Sequence, residues 1–94
     1  MLVITVRFRI NDGFEERFLA RAAQQASDSL GREAACRQFD VCASPADPRL
    51  ILLYEIYDDD AAFAAHLASA HFLAFDQETR GWIADKVVER WTRT

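Results

Sequence analysis

Residues 2–10 alternate strictly, with Leu2, Ile4, Val6, Phe8 and Ile10 on one face and Val3, Thr5, Arg7 and Arg9 on the other. Period two with β-branched residues predicts a strand whose first face is buried and whose second, mixed face meets water or a polar interface. Asn11-Asp12-Gly13 breaks the pattern. Phe14, Phe18, Ala22, Ala26 and Leu30 then recur every four residues, widened by Leu19 and Ala23. That stripe predicts a helix of roughly 17 residues, opened by an Asp12–Glu15 capping box and stopped by Gly31.

The segment 34–43 reads as a second strand, with Cys36, Gln38, Asp40 and Cys42 on one face and Ala35, Arg37, Phe39 and Val41 on the other. Ser44-Pro45-Ala46-Asp47-Pro48 is a turn, since prolines there exclude a regular ladder. So short a link makes the next strand, 49–57, the other half of an antiparallel hairpin. This third strand is apolar on both faces: Leu50, Leu52, Tyr54 and Ile56 point one way, Ile51, Leu53, Glu55 and Tyr57 the other. Both faces must therefore be covered. Helices from a chain this small cover one side of a sheet, so the pattern predicts a homodimer packed sheet against sheet.

Asp58-Asp59-Asp60 provides capping oxygens and negative charge at a helix start, and three such consecutive carboxylates splay apart instead of converging on a metal. The helix carries Ala62, Phe63, His66, Leu67 and Ala70 on one stripe, which places His66 on its apolar face. A further helical segment from His71 is expected after a bend near Ser69, ending around Gly81. Residues 83–94 read as a fourth strand, with Val87, Glu89 and Trp91 opposite Val88 and Arg90. A terminal strand with this tryptophan suits a dimer interface. The order β-α-β-β-α-β is the ferredoxin-like split arrangement, an α+β fold with an antiparallel sheet.

Composition narrows the function. Ninety-four residues predict a single domain spanning 1–94. The net charge of −4 and the scattered basic residues exclude phosphate-backbone binding, so no nucleic-acid partner is expected. No apolar run approaches the roughly 20 residues that span a bilayer, and the N-terminus lacks signal-peptide character. No membrane partner and a cytoplasmic location are the expectation. Cys36 and Cys42 on one extended strand would stand roughly 20 Å apart, too far for a disulfide. With no clustered ligands, no metal is expected. His66 and His71, five apart, would diverge on one continuous helix. There is no glycine-rich phosphate loop and no G-x-S-x-G elbow.

What remains is a pocket between the third strand and the histidine-bearing helix. Leu53, Glu55 and Tyr57 can face Phe63, His66 and Leu67 across one interior. A carboxylate opposite an imidazole in an apolar setting can form a charge-assisted pair, and a histidine near neutrality is a natural general base. The same pair can equally be a structural hydrogen bond closing the core. Phe39, Phe72, Phe75 and Trp82 can line an aromatic pocket or simply fill the core, and His71 can cap a helix or serve the site.

In order along the chain come Cys36 with Phe39-Asp40-Val41, then Leu53-Tyr54-Glu55-Ile56-Tyr57, Ala62-Phe63, His66-x-x-Ser69-x-His71-Phe72, and Phe75. This series resembles the antibiotic biosynthesis monooxygenase domain, including its small quinol-monooxygenase-like members, over nearly the whole chain. The resemblance implies a dimeric α/β barrel and oxidation of a small aromatic quinol or phenol by dioxygen, with no cofactor, neither metal nor flavin. It implies catalytic roles for His66 and Glu55, with Glu55 orienting His66, and substrate contacts from Tyr57, Phe63, His71, Phe72, Phe75 and Phe39. The Asn-Trp-His set of haem-degrading relatives is absent, and Leu53 stands where some polyketide oxygenases carry a polar residue. A dimeric ligand-binding module and a small-molecule isomerase using the same His and Glu are the alternatives.

Overall fold

The computed structural model describes residues 1–94. Strand β1 (Leu2–Ile10) leads into helix α1 (Glu15–Arg32), followed by the hairpin β2 (Cys36–Ala43) and β3 (Leu50–Tyr57). Helices α2 (Asp60–Ala68) and α3 (Ala70–Thr79), a 3-10 turn at Arg80–Trp82 and strand β4 (Ile83–Thr92) complete the chain. The strands form one antiparallel sheet in the order β2-β3-β1-β4. This is the expected ferredoxin-like α+β arrangement.

The alternating residues of β1 sort as predicted. Ile4, Val6, Phe8 and Ile10 enter a core with Phe18, Ala22 and Ala26 of α1, Phe39, Ile51, Leu53 and Tyr57 of the hairpin, and Phe63 and Phe75 of the later helices. Registers such as Ile4 opposite Glu55 and Val6 opposite Leu53 put the odd residues of β3 on this helix-covered face. Phe8 packs on Phe18 at 4.9 Å between ring centres, and Phe18 on Phe75 at 5.9 Å. Removing an aromatic from such a cluster costs about 3–5 kcal/mol.

Helix α1 departs from its expected stripe. Four-residue steps advance by 400° on a 3.6-residue helix, so each step drifts about 40° around the axis. By Leu30 the drift has carried the side chain out to solvent, while Gln25 and Ser29 rotate inward and are buried. Gly31 is not the stop, because helix α1 continues through Arg32 and Glu33 then adopts extended backbone. Only Gly13, at φ +92°, uses the left-handed region. The Asp12 capping box also does not form. Phe14 is the N-cap without a side-chain bond, and Glu15 instead reaches back to accept from the Gly13 amide at 3.1 Å.

A register shift between Cys36 and Gln38 corrects the facing of β2. The bulge adds one residue, so Cys36 turns to the core side with Phe39 and lies opposite Tyr57, while Cys42 lies on the other face opposite Leu52. Both thiols are free. Burial pushes the Cys36 thiol up to about 11, with nearby Glu33 and Glu55 adding to the rise, so it behaves as a packing residue.

The acidic run divides its work as a helix start should. Asp59 caps α2 by accepting from the Ala62 amide at 2.8 Å, while Asp58 pairs with Arg37 and Asp60 with Arg90. On the sheet face away from the helices lie Val3, Thr5, Leu52, Tyr54, Ile56, Glu89 and Trp91. Leu52 and Trp91 there are 36% and 52% exposed. No helix is long and apolar enough to cross a membrane.

Candidate active site

Three helical segments deliver one cluster of polar groups. The chain breaks at Ser69, whose backbone is extended and which serves both as C-cap of α2 and as N-cap of α3. Its hydroxyl donates to the His66 carbonyl at 2.7 Å and accepts from the Phe72 amide at 3.2 Å. This break falls where the bend near Ser69 was expected, so the helix is not continuous and the divergence of His66 and His71 that a continuous helix would impose does not arise. The new helix axis swings His71 back toward His66, and the two rings meet edge to face at 6.1 Å.

Between them stands Glu33, the first residue beyond α1. Its Oε2 is 2.9 Å from Nδ1 of His66 and 2.5 Å from Nε2 of His71. A carboxylate oxygen only accepts, so both ring nitrogens must donate. Neutral His66 is therefore protonated on Nδ1, which leaves its Nε2 bare. Burial lowers the pKa of His66 and keeps it neutral, with the Glu33 hydrogen bond and charge pulling the other way and His71 adding to the lowering.

Glu55 is not the hydrogen-bond partner expected for His66. Its Oε1 lies 4.0 Å from His66 Nε2, beyond hydrogen-bond reach, and instead accepts from the Tyr57 hydroxyl at 2.6 Å. The strand geometry explains this: Glu55 and Tyr57 are two residues apart on one face of β3 and so are neighbours. Burial raises Glu55 to about 7, countered in part by the Tyr57 bond and by Lys86, while the Glu33 charge adds to the rise. Tyr57 is driven far above the ordinary phenol range, first by burial and then by Glu55.

A cavity adjoins these groups. It is lined by Val6, Phe8, Gln25, Phe39, Leu53, Glu55, Phe63, His66, Leu67, Phe72, Phe75, Lys86 and Val88. It is small, about 40 Å³, room for a few waters. The solvent-exposed members are Leu67 of α2 with Lys86 and Val88 of edge strand β4, so the mouth lies between these elements. Phe39, Phe63, Phe72 and Phe75 are among the residues that line the cavity. Tyr57 and His71 do not reach the wall: Tyr57 is fully buried behind Glu55, and His71 stands behind His66. Trp82 stacks on Phe14 at 6.1 Å, away from the cavity.

Sequence reasoning missed Glu33 and Gln25. Gln25, Ser29 and Glu33 follow one another at four-residue spacing, a polar continuation of the apolar α1 stripe that could have flagged them. Glu33, His66 and His71 are also the residues able to hold a metal ion, since one ligand atom from each lies within 4.8 Å of the others. A divalent ion there would have to displace the protons that now join the three side chains.

The fold has counterparts among solved structures. A candidate antibiotic biosynthesis monooxygenase from Nitrosomonas europaea is 26% identical over 99% of this chain and 98% of that one, with a TM-score of 0.94. A protein from Pseudomonas aeruginosa matches at 24% identity, over 99% and 93% of the two chains, with a TM-score of 0.91. One from Bacteroides thetaiotaomicron matches at 23%, over 98% and 88%, with a TM-score of 0.92. These last two establish shared fold alone. No curated protein matches the sequence. The antibiotic biosynthesis monooxygenase family model matches residues 1–78, and the chain belongs to that family.

Proposed function

We propose that this family member oxidises a small aromatic quinol or phenol with dioxygen, using neither metal nor flavin, with His66 as general base. The observation that carries the reading is the 2.9 Å Glu33–His66 hydrogen bond beside an apolar cavity. It leaves a bare imidazole nitrogen in the cavity wall, the state a base must have. Glu33 is the orienting carboxylate, a role the sequence resemblance gives to Glu55. Glu55 is the second polar group, and the 4.0 Å gap to His66 suits a substrate hydroxyl that touches both.

In this reading His66 Nε2 takes the hydroxyl proton, and the electron-rich ring anion reacts with oxygen at carbon. A carbon–oxygen bond forms and the resulting peroxide takes up a proton. Loss of water then breaks the O–O bond and leaves a new carbonyl. The balance closes as phenol plus O2 giving quinone plus water, or quinol plus O2 giving hydroxyquinone plus water. All electrons come from the substrate. Phe39, Phe63, Phe72 and Phe75 hold the ring and keep the site dry, and Lys86 at the mouth favours an anionic ring. The chain acts as one domain, and two copies pair through the uncovered sheet face.

The test is oxygen uptake with a panel of quinols and phenols by chelator-treated protein, comparing His66→Gln and His66→Ala. Loss of a positioned base costs about 10²–10⁴-fold in rate, with each variant's folding checked by thermal melting. Uptake unchanged by both substitutions removes His66 from the chemistry. Uptake restored only by an added divalent ion would assign Glu33, His66 and His71 to a metal centre. Substrate conversion without oxygen would make the pocket an isomerase site.

A further inference from the structure

Gln25 is 1% exposed, and neither its amide oxygen nor its amide nitrogen has a hydrogen-bond partner. It nevertheless lines the cavity, from the α1 wall, where its neighbours in the lining include the apolar Val6, Phe8 and Phe75. Nothing else in the chain satisfies it. A buried amide without partners destabilises a fold. Ser29 Oγ and Arg21 Nη1 on the same helix also lack partners, but of the three residues only Gln25 lines the cavity, where an entering group can complete it. Glu55 and His66, the other buried polar members of the lining, enter from β3 and α2. Two turns of α1 separate Gln25 from Glu33, a rise of about 12 Å along the helix axis, so Gln25 lies well removed from the Glu33 contact with His66.

We infer that Gln25 recognises a second oxygen on the ligand, so that the cavity takes a ring with oxygens at two separated positions, one against Glu55 and His66 and one on the Gln25 amide. An amide offers both a donor and an acceptor, and a hydroxyl complements both at once. A ring with a single hydroxyl leaves Gln25 unpaired and binds less well for that reason. The inference rests on the proposed reading of this cavity as the aromatic site, and it adds which ring the site selects.

The experiment compares anaerobic binding of phenol and 1,4-dihydroxybenzene, single rings matched to the small cavity, so that no turnover intervenes. Wild-type protein is expected to prefer the diol by about tenfold or more. Gln25→Leu is expected to keep its affinity for phenol and to lose the preference to within about twofold. Gln25→Met provides a second apolar replacement in case the leucine variant fails to fold, and should show the same loss. A diol preference retained in either folded variant overturns the inference, as does a wild type that binds both rings equally. A melting temperature lowered in both variants also overturns it, since the amide would then have a partner within the protein. Failure of oxygen uptake with the binding preference intact would sink the oxidation reading and leave Gln25 as the recognition residue.

Discussion

A carboxylate oxygen that accepts from two imidazoles fixes the proton positions of both. Glu33 does this for His66 and His71, and the bare Nε2 of His66 follows. Glu55 has a different character. Its pKa is raised by burial to about 7 in the folded chain, from 4.5 in the open one. The sign follows from linkage: a raised folded pKa means the native state holds the proton more tightly. Its contribution to stability is full below about pH 4.5 and is lost as pH rises through about 7. Glu55→Gln keeps an acceptor for the Tyr57 hydroxyl and removes the titration. The variant should match wild type near pH 4.5 and exceed it by up to about 3 kcal/mol at pH 8.5, read by urea denaturation. A variant less stable than wild type at pH 8.5 would contradict this account of Glu55. His66, with its lowered pKa, acts in the opposite sense in both proteins and cancels in the comparison.

Among the elements, the break between α2 and α3 decides whether the site exists. Ser69 makes it by capping one helix and starting the next. Removing an N-cap hydroxyl costs about 0.5–2 kcal/mol, so Ser69→Ala should lower stability by about 1 kcal/mol in chemical denaturation. No change would mean that the break is held by tertiary packing instead. The elements themselves were largely legible: period two in β1, the two-faced β3, and the Asp58–Asp60 helix start. The site was less so. Glu33 lies 33 residues from His66 in sequence and beyond Gly31, a residue type that ordinarily ends a helix. The inward turn of Cys36 comes from a bulge, for which the alternation in β2 gave no sign. Gln25 and Ser29 were hidden because the apolar series was followed through Ala26 to Leu30, which drifts off the buried face, while the polar series one position earlier turns inward.

For the whole molecule, the open question is the face away from the helices. Leu52, Tyr54 and Trp91 form an apolar surface there, with Leu52 and Trp91 exposed and Val3 and Ile56 of the same face buried, and the Trp91 indole donates to Thr5 at 3.0 Å. Burial of apolar area at about 25 cal/mol per Å² makes pairing of two such faces favourable. Sedimentation at micromolar concentration should therefore give a dimer, and Leu52→Asp should give a folded monomer. A monomeric wild type would leave the face without a role. The cavity opens on the other side of the sheet, between α2 and β4, so the monomeric variant should still bind aromatic ligands.

The central claim is that Glu33 holds His66 as a neutral base with its lone pair in the cavity. Long-range proton–nitrogen NMR of the histidine rings at neutral pH reads this without any knowledge of substrate. The account predicts that His66 carries its proton on Nδ1 and that Glu33→Gln disturbs this preference. A proton on Nε2 of His66, or a tautomer unaffected by that substitution, would contradict it.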